Sequence, residues 1–212
     1  MTTIPQNRPF WCALLAGAAL VALRRLSLAW GASGDEIDAT LPGDELLSRV
    51  DLSATRAISI RASAREVWPW VAQLGQGRGG FYSYDFVENL IGCDIHSADQ
   101  IVQQWQDITV GDQINLAPEV GLTVARVDPA RALVLHGGLP AIGTGLSPYD
   151  FTWAFVLRPE TDGITRLVVR ERYSYTHPWV AAMVEPVELV SFMMSRQMMR
   201  GIRHRAELKH RD

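Results

Sequence analysis

Apolar residues recur along this chain with two different periods, and the switch between them marks out its elements. From Thr55 to Arg61 the pattern alternates, with Ile58 and Ile60 on one face and Ser59 and Arg61 on the other, as in a half-buried strand. Ser63 then opens a capping-box match with Glu66, and Val67, Trp70, Val71 and Leu74 follow at helical spacing. Pro69 has no N–H to bond the Arg65 carbonyl, so a kink or two short helical pieces are expected there. A second short helix is predicted over Tyr84–Ile91, stopped by Gly92.

Beyond it, strand-like runs cover Gln113–Leu116, Leu122–Val127, Ala132–His136, Phe151–Arg158 and Thr165–Tyr175, separated by Gly, Pro and Asp signals. Consecutive strands with short turns imply an antiparallel sheet. Pairing the last two runs as a hairpin sets Phe151, Trp153, Phe155 and Leu157 beside Leu167, Val169, Glu171 and Tyr173. That face should be the inner one, because the other carries Thr152, Arg158, Arg166, Arg170 and Arg172. The chain ends in a predicted long helix whose core stripe reads Val187, Val190, Ser191, Met194, Met198, Gly201 and Ile202. Pro186 is expected to precede or begin that helix. The basic residues of its last turns suit the negative end of the helix dipole.

The periodic region accounts for residues 54–212, a single domain. Ahead of it, residues 1–30 contain the apolar run Phe10–Leu23, which is shorter than the roughly 20 residues needed to cross a bilayer. Arg24 and Arg25 follow this run, an order that argues against a cleaved signal. Two readings stand: a tether at the inner face of a membrane with the bulk of the chain cytoplasmic, or a helix packed on the domain or on a partner. Residues 31–53 carry Gly, Pro and several acids without sustained periodicity and read as a linker.

Composition narrows the function classes. Hydrophobic residues make up 48% of the chain and charged residues 20%, enough to build a packed core. The net charge of −3 offers no general attraction to phosphates, so nucleic acid is not an expected partner. Cys12 and Cys93 are the only cysteines, which suggests neither a disulfide framework nor a zinc cage and fits a reducing compartment.

A strand, a helical pair, a run of antiparallel strands and one long C-terminal helix form the order of an α+β helix-grip fold. The residues add a family resemblance. The stretches VWPWVAQLGQGRGGFYSYDFVENLIG at Val67–Gly92, DIHSAD at Asp94–Asp99 and WQDITVGD at Trp105–Asp112 are similar to a subgroup of the START-like, or SRPBCC, superfamily. That superfamily includes the polyketide cyclase/dehydrase and lipid-transport group, and the resemblance spans about Ala54 to Glu207. It implies a curved sheet wrapped around the last helix with an elongated cavity between them. It implies no catalytic residues, because members bind, transport or transform different apolar molecules on one scaffold.

Several residues are candidates for chemistry. Gly75-Gln-Gly-Arg-Gly-Gly80 matches G-x-G-x-x-G, but a helix precedes it where a dinucleotide loop needs a strand. The glycines fit close backbone passage between two helices, or a lid formed by Gly77, Gly79, Gly80, Phe81 and Tyr82. Asp85, Glu88, Asp94, His96 and Asp99 have no recognised metal-ligand spacing and are read first as caps and turn residues, with His96 and Asp94 the best outside candidates for acid/base work. Glu171 falls in the inward phase between Val169 and Tyr173, where a buried carboxylate requires a partner. An arginine or an opening to solvent would provide one; alternatively Glu171 is a polar handle for a ligand or a general acid. Tyr173 and Tyr175 place hydroxyls at the same end.

The expected ligand-binding set is Phe151, Trp153, Phe155, Val169, Glu171 and Tyr173 from the sheet and Val190, Met194 and Met198 from the last helix, whose flexible thioethers suit varied apolar shapes. With no metal and no cofactor implied, the leading expectation is a binder or carrier of a lipid-, polyketide- or quinone-like molecule. A cyclase or dehydrase using Glu171, Tyr173 or His96, and a membrane-anchored interaction module, are the alternatives.

Overall fold

The computed structural model describes residues 8–90, 92–118, 120–138, 147–161 and 163–208, apart from the side chains of 8–13 and 16. The expected Tyr84–Ile91 helix is seen as α4, Asp85–Leu90, and Ile91 lies outside the described residues. The strands are β1 (Leu52–Ile60), β2 (Gln113–Ala117), β3 (Val120–Asp128), β4 (Ala132–Gly137), β5 (Tyr149–Pro159) and β6 (Thr165–Tyr175). Every pairing is antiparallel, in the order β1-β6-β5-β4-β3-β2. The inner face of this sheet packs against the long helix α5 (Val180–Leu208), and α3 (Ala64–Ala72) closes one side. The result is an α+β helix-grip fold, as the element order predicts.

The hairpin of β5 and β6 has the expected register: Phe151 faces Tyr173, Trp153 faces Glu171, Phe155 faces Val169 and Leu157 faces Leu167. Strict alternation on both strands leaves a single pairing that buries all the aromatics together. The core follows from it, with Phe155, Leu167 and Val169 packed beside Val67, Val71, Met198 and Ile202.

The two-piece alternative at Pro69 and the placing of Pro186 at the helix start need correction. Helix α3 runs through Pro69 as one short element, and Pro186 lies inside α5, which starts six residues earlier at Val180. In each case the lost hydrogen bond is outweighed by burial: Val67, Trp70 and Val71 flank Pro69, and Val184 and Glu188 flank Pro186. The Ser63–Glu66 cap forms as expected, with the Ser63 N–H donating to Glu66 Oε2 at 2.8 Å.

Residues 31–53 are not a free linker. They include the short helix α2 (Gly34–Asp38) and lie across the outer face of the sheet, where Leu41 is buried with Ala57, Val156 and Val168 in a second small core. The outward arginines of β6 hold them there. Arg166 bonds Glu36 at 2.7 Å, a pair that holds the Glu36 carboxyl below its ordinary range. Arg170 bonds the carbonyls of Glu36, Ile37 and Ala39 at 2.8 Å each and the Asp44 carboxylate at 2.6 Å. Acids that look like linker composition in one dimension are the partners of outer-face cations in three. β1 begins at Leu52, so the expected boundary at 53/54 falls inside a strand.

The helix α1 (Arg8–Ala29) contains the apolar run Phe10–Leu23. Its C-terminal end packs on the domain: Ser27 is buried, Leu28 and Trp30 join the main core, and Arg24 pairs with Glu185 at 3.1 Å. Gly31 allows this approach with a positive φ, since a Cβ there would lie 2.2 Å from the Ala57 carbonyl oxygen. Farther from the domain Leu14, Leu15, Leu20 and Val21 are exposed. Among the described residues no helix is long and apolar enough to cross a membrane.

Candidate functional site

Between the inner sheet face and α5 lies a cavity of about 470 Å³, the size range of small-molecule sites. β5 and β6 supply Tyr149, Phe151, Trp153, Glu171 and Tyr173; α5 supplies Val184, Glu188, Ser191, Met194, Ser195 and Met198; Phe81, Ser83, Glu88 and Cys93 close a third side. The aromatic rings are in mutual contact, with Phe151 4.6 Å from Tyr173 and Trp153 4.8 Å from Phe155, centroid to centroid. This wall is largely aromatic, and the methionines opposite it have flexible side chains.

Of the sequence-predicted residues, Phe151, Trp153, Glu171, Tyr173, Met194 and Met198 line this space. Phe155 and Val169 sit behind it in the core, fully buried. Val190 points away and is 56% exposed, whereas Val187, though largely exposed, lines the cavity with Ser191 and Met194, so the expected helical stripe fails in the first half of α5 at Val190. The buried positions there are Val180, Val184, Glu188 and Phe192, with a charged residue buried where apolarity alone pointed to Val190.

Glu188 is buried because it has a partner. Arg56, with no exposed surface, reaches inward from β1 and bonds Glu171 Oε1 at 2.8 Å through Nη1 and Glu188 Oε1 at 2.5 Å through Nη2. Its Nε–H donates to the Ser27 carbonyl at 2.8 Å, so the end of α1 belongs to the same network. Glu171 also accepts from Ser195 at 2.7 Å, Ser191 at 3.0 Å and Tyr173 at 3.3 Å, and Ser27 Oγ lies 2.9 Å from Glu188 Oε2. The expected partner for Glu171 is therefore an arginine, and both Glu171 oxygens are occupied by donors. Arg56 was legible: it shares the phase of Ile58 and Ile60 and had to point inward with them. Glu188 carried no such signal, because helical periodicity does not reveal a partner on a distant strand.

Electrostatics favour hydrogen bonding over proton transfer. Burial, with the Glu171 carboxylate beside it, raises the Tyr173 phenol well above its ordinary value, and burial pushes Tyr149 up to about 12. Both hydroxyls stay protonated as donors at neutral pH. Burial, then Glu88, raises the Cys93 thiol, which keeps it from being a thiolate nucleophile.

The remaining candidates lie elsewhere. His96 and Asp94 pair with each other at 3.1 Å on the surface, with side chains 80% and 66% exposed, and neither touches the cavity. Ile95 between them is the residue the core takes, which leaves the polar side chains on either side turned outward. Asp85 fixes a turn by accepting from the Ser97 N–H and hydroxyl at 2.6 Å each, and Asp99 pairs with Arg205 at 2.9 Å. Among the described residues no group of three or more His, Cys, Asp or Glu is placed to hold a metal ion. The glycine-rich stretch is a closed turn: Gly75 and Gly80 bond each other at 3.0 Å in both directions, and Gly79 donates to the Gln73 carbonyl at 2.8 Å. Gly77 is at its exposed tip, Tyr82 is buried, and Phe81 alone of the expected lid residues lines the cavity.

The fold and its cavity define a helix-grip protein with an internal apolar site. No family model matches the chain, and no curated protein matches it in sequence. Solved structures similar to it include protein MLL2253 from Mesorhizobium loti, at 16% identity and TM-score 0.45 over 76% of this chain and 99% of that one. Norcoclaurine synthase from Thalictrum is similar at 13% identity and TM-score 0.46, over 78% and 99% of the two chains. Protein jhp0584 from Helicobacter pylori is similar at 10% identity and TM-score 0.49, over 79% and 95%. At such identities the likeness concerns the fold alone, and the site rests on its own residues.

Proposed function

We propose that this chain binds or carries an apolar small molecule, of lipid-, polyketide- or quinone-like kind, in the cavity between the sheet and α5. The observation that supports it is a space of about 470 Å³ walled by aromatic rings and methionines, in which most polar groups are already committed to one another. Such a wall holds a ligand by burial and orients it with few polar contacts. The enzyme alternative has less support: Glu171 has no free oxygen, Tyr173 is held protonated, and His96 is outside. A membrane contact through Phe10–Leu23 belongs to the same proposal, supported by the exposed Leu14, Leu15, Leu20 and Val21, and co-sedimentation with lipid vesicles tests it.

The decisive experiment is mass spectrometry of molecules that co-purify with the chain, together with a cavity-filling variant. Met194→Trp should weaken binding of an apolar fluorescent probe by about tenfold or more, while the thermal midpoint changes little. Unchanged probe affinity would place the binding site elsewhere.

A further inference from the structure

The charge lining the cavity does not balance. Glu88, Glu171 and Glu188 all line it. Among the described residues the cation paired with any of them is Arg56, which is divided between Glu171 and Glu188. One guanidinium therefore serves two carboxylates, and Glu88 has none. Glu88 is 5% exposed; its Oε1 accepts from the Ser83 hydroxyl at 2.6 Å, and its Oε2 is buried with no hydrogen-bond partner. Nearly every buried carboxylate oxygen in a folded chain finds a donor, so an orphaned one at a cavity wall points to a partner that arrives with the ligand. The rings of Tyr149, Phe151, Trp153 and Tyr173 share that space, and their faces attract cations.

We infer that the cavity selects, among apolar molecules, those that carry a cationic end, such as a long-chain amine or a quaternary ammonium, seated beside Glu88 within the aromatic wall. The inference rests on the cavity reading above and adds the charge of the ligand to it. A cation there offsets the excess of buried carboxylate and supplies the missing partner of Glu88 Oε2. A fatty acid anion meets the opposite field: its carboxylate would enter a space that already holds three. Burial pushes the Glu88 carboxyl above its ordinary range, against the hydrogen bond from Ser83, which is the condition of an acid without a countercharge.

The test compares decylamine, decanol and decanoate on the full chain at neutral pH by titration calorimetry. Decylamine should bind about tenfold or more tightly than decanol, with decanoate the weakest. Glu88→Gln should narrow the gap between amine and alcohol, chiefly by weakening decylamine. Equal binding of all three probes, or decanoate the tightest, overturns the charge inference and leaves the cavity reading standing. A gap that persists undiminished in Glu88→Gln overturns the role of Glu88. If none of the probes binds, the cavity reading itself fails and the inference with it. Should Glu88→Gln not fold, the ranking of the three probes on the unaltered chain decides alone.

Discussion

Two adjacent residues of β6, Arg170 and Glu171, stand in two buried ionic clusters on opposite faces of the sheet, and the clusters differ in what they leave over. On the outer face all the N–H donors of Arg170 are used: Nε bonds Thr55 Oγ1 at 2.9 Å, and the two terminal nitrogens take Asp44 and three carbonyls. Arg172 adds a second cation to Asp44 at 3.3 Å. That cluster is dense and closed. On the inner face Glu171 and Glu188 divide one guanidinium beside an open volume, with Glu88 in the same wall. Polar burial by itself thus does not distinguish the two faces; charge in excess of its partners, next to space, does.

The sharpest way to break the comparison is Arg56→Met, which strands two buried carboxylates at once. It should destabilise the chain by about 3–5 kcal/mol in urea denaturation and abolish binding of an apolar probe. A loss below about 1 kcal/mol would mean that water reaches the inner cluster in solution. Arg170→Met should cost less, about 2–3 kcal/mol, because it leaves three carbonyls and Thr55 Oγ1 without their donor while Asp44 keeps Arg172 and the Leu41 N–H. Proteolysis should then cut within residues 31–50 while probe binding persists; a parallel loss of binding would show that the two faces are coupled.

The smallest effect expected is that of Glu88→Gln, and it depends on pH. Burial raises the Glu88 carboxyl above its ordinary 4.5, so the folded chain holds this proton more tightly than the unfolded chain does. The cost of burying Glu88 is therefore absent below about pH 4.5 and grows as pH rises through the higher folded value. Glu88→Gln should be more stable than the parent at neutral pH and lose that advantage in acid. A difference independent of pH would mean that Glu88 is solvated rather than buried.

What was legible in the sequence follows the same division. The register of β5 and β6 and the inward phase of Glu171 could be read because a two-residue period on both strands admits one solution. The inner face of α5 was read correctly from Met194 to Ile202 and at Val187 and Ser191, which line the cavity, and wrongly at the exposed Val190; the buried Glu188 was missed. That position depends on Arg56, 132 residues away along the chain, and no local pattern encodes such a distance. The segment 31–53 was misread for the same reason. Its acids Glu36 and Asp44 are explained by Arg166, Arg170 and Arg172, whose outward phase was seen but whose covering was not.

The alternation of charge along β6 also bears on which sheets this chain refuses to form. Val168 and Val169 are both buried, one in each core, and would tolerate a one-residue slip almost unchanged. The same slip would carry Arg170 and Arg172 under α5, away from Asp44 and the carbonyls of 36–39, and would turn Glu171 outward, leaving Arg56 without it. Wrong pairing fails on both faces at once. The ions that hold the finished structure together therefore also act as its spelling check, rejecting an alignment that the apolar residues alone would let pass.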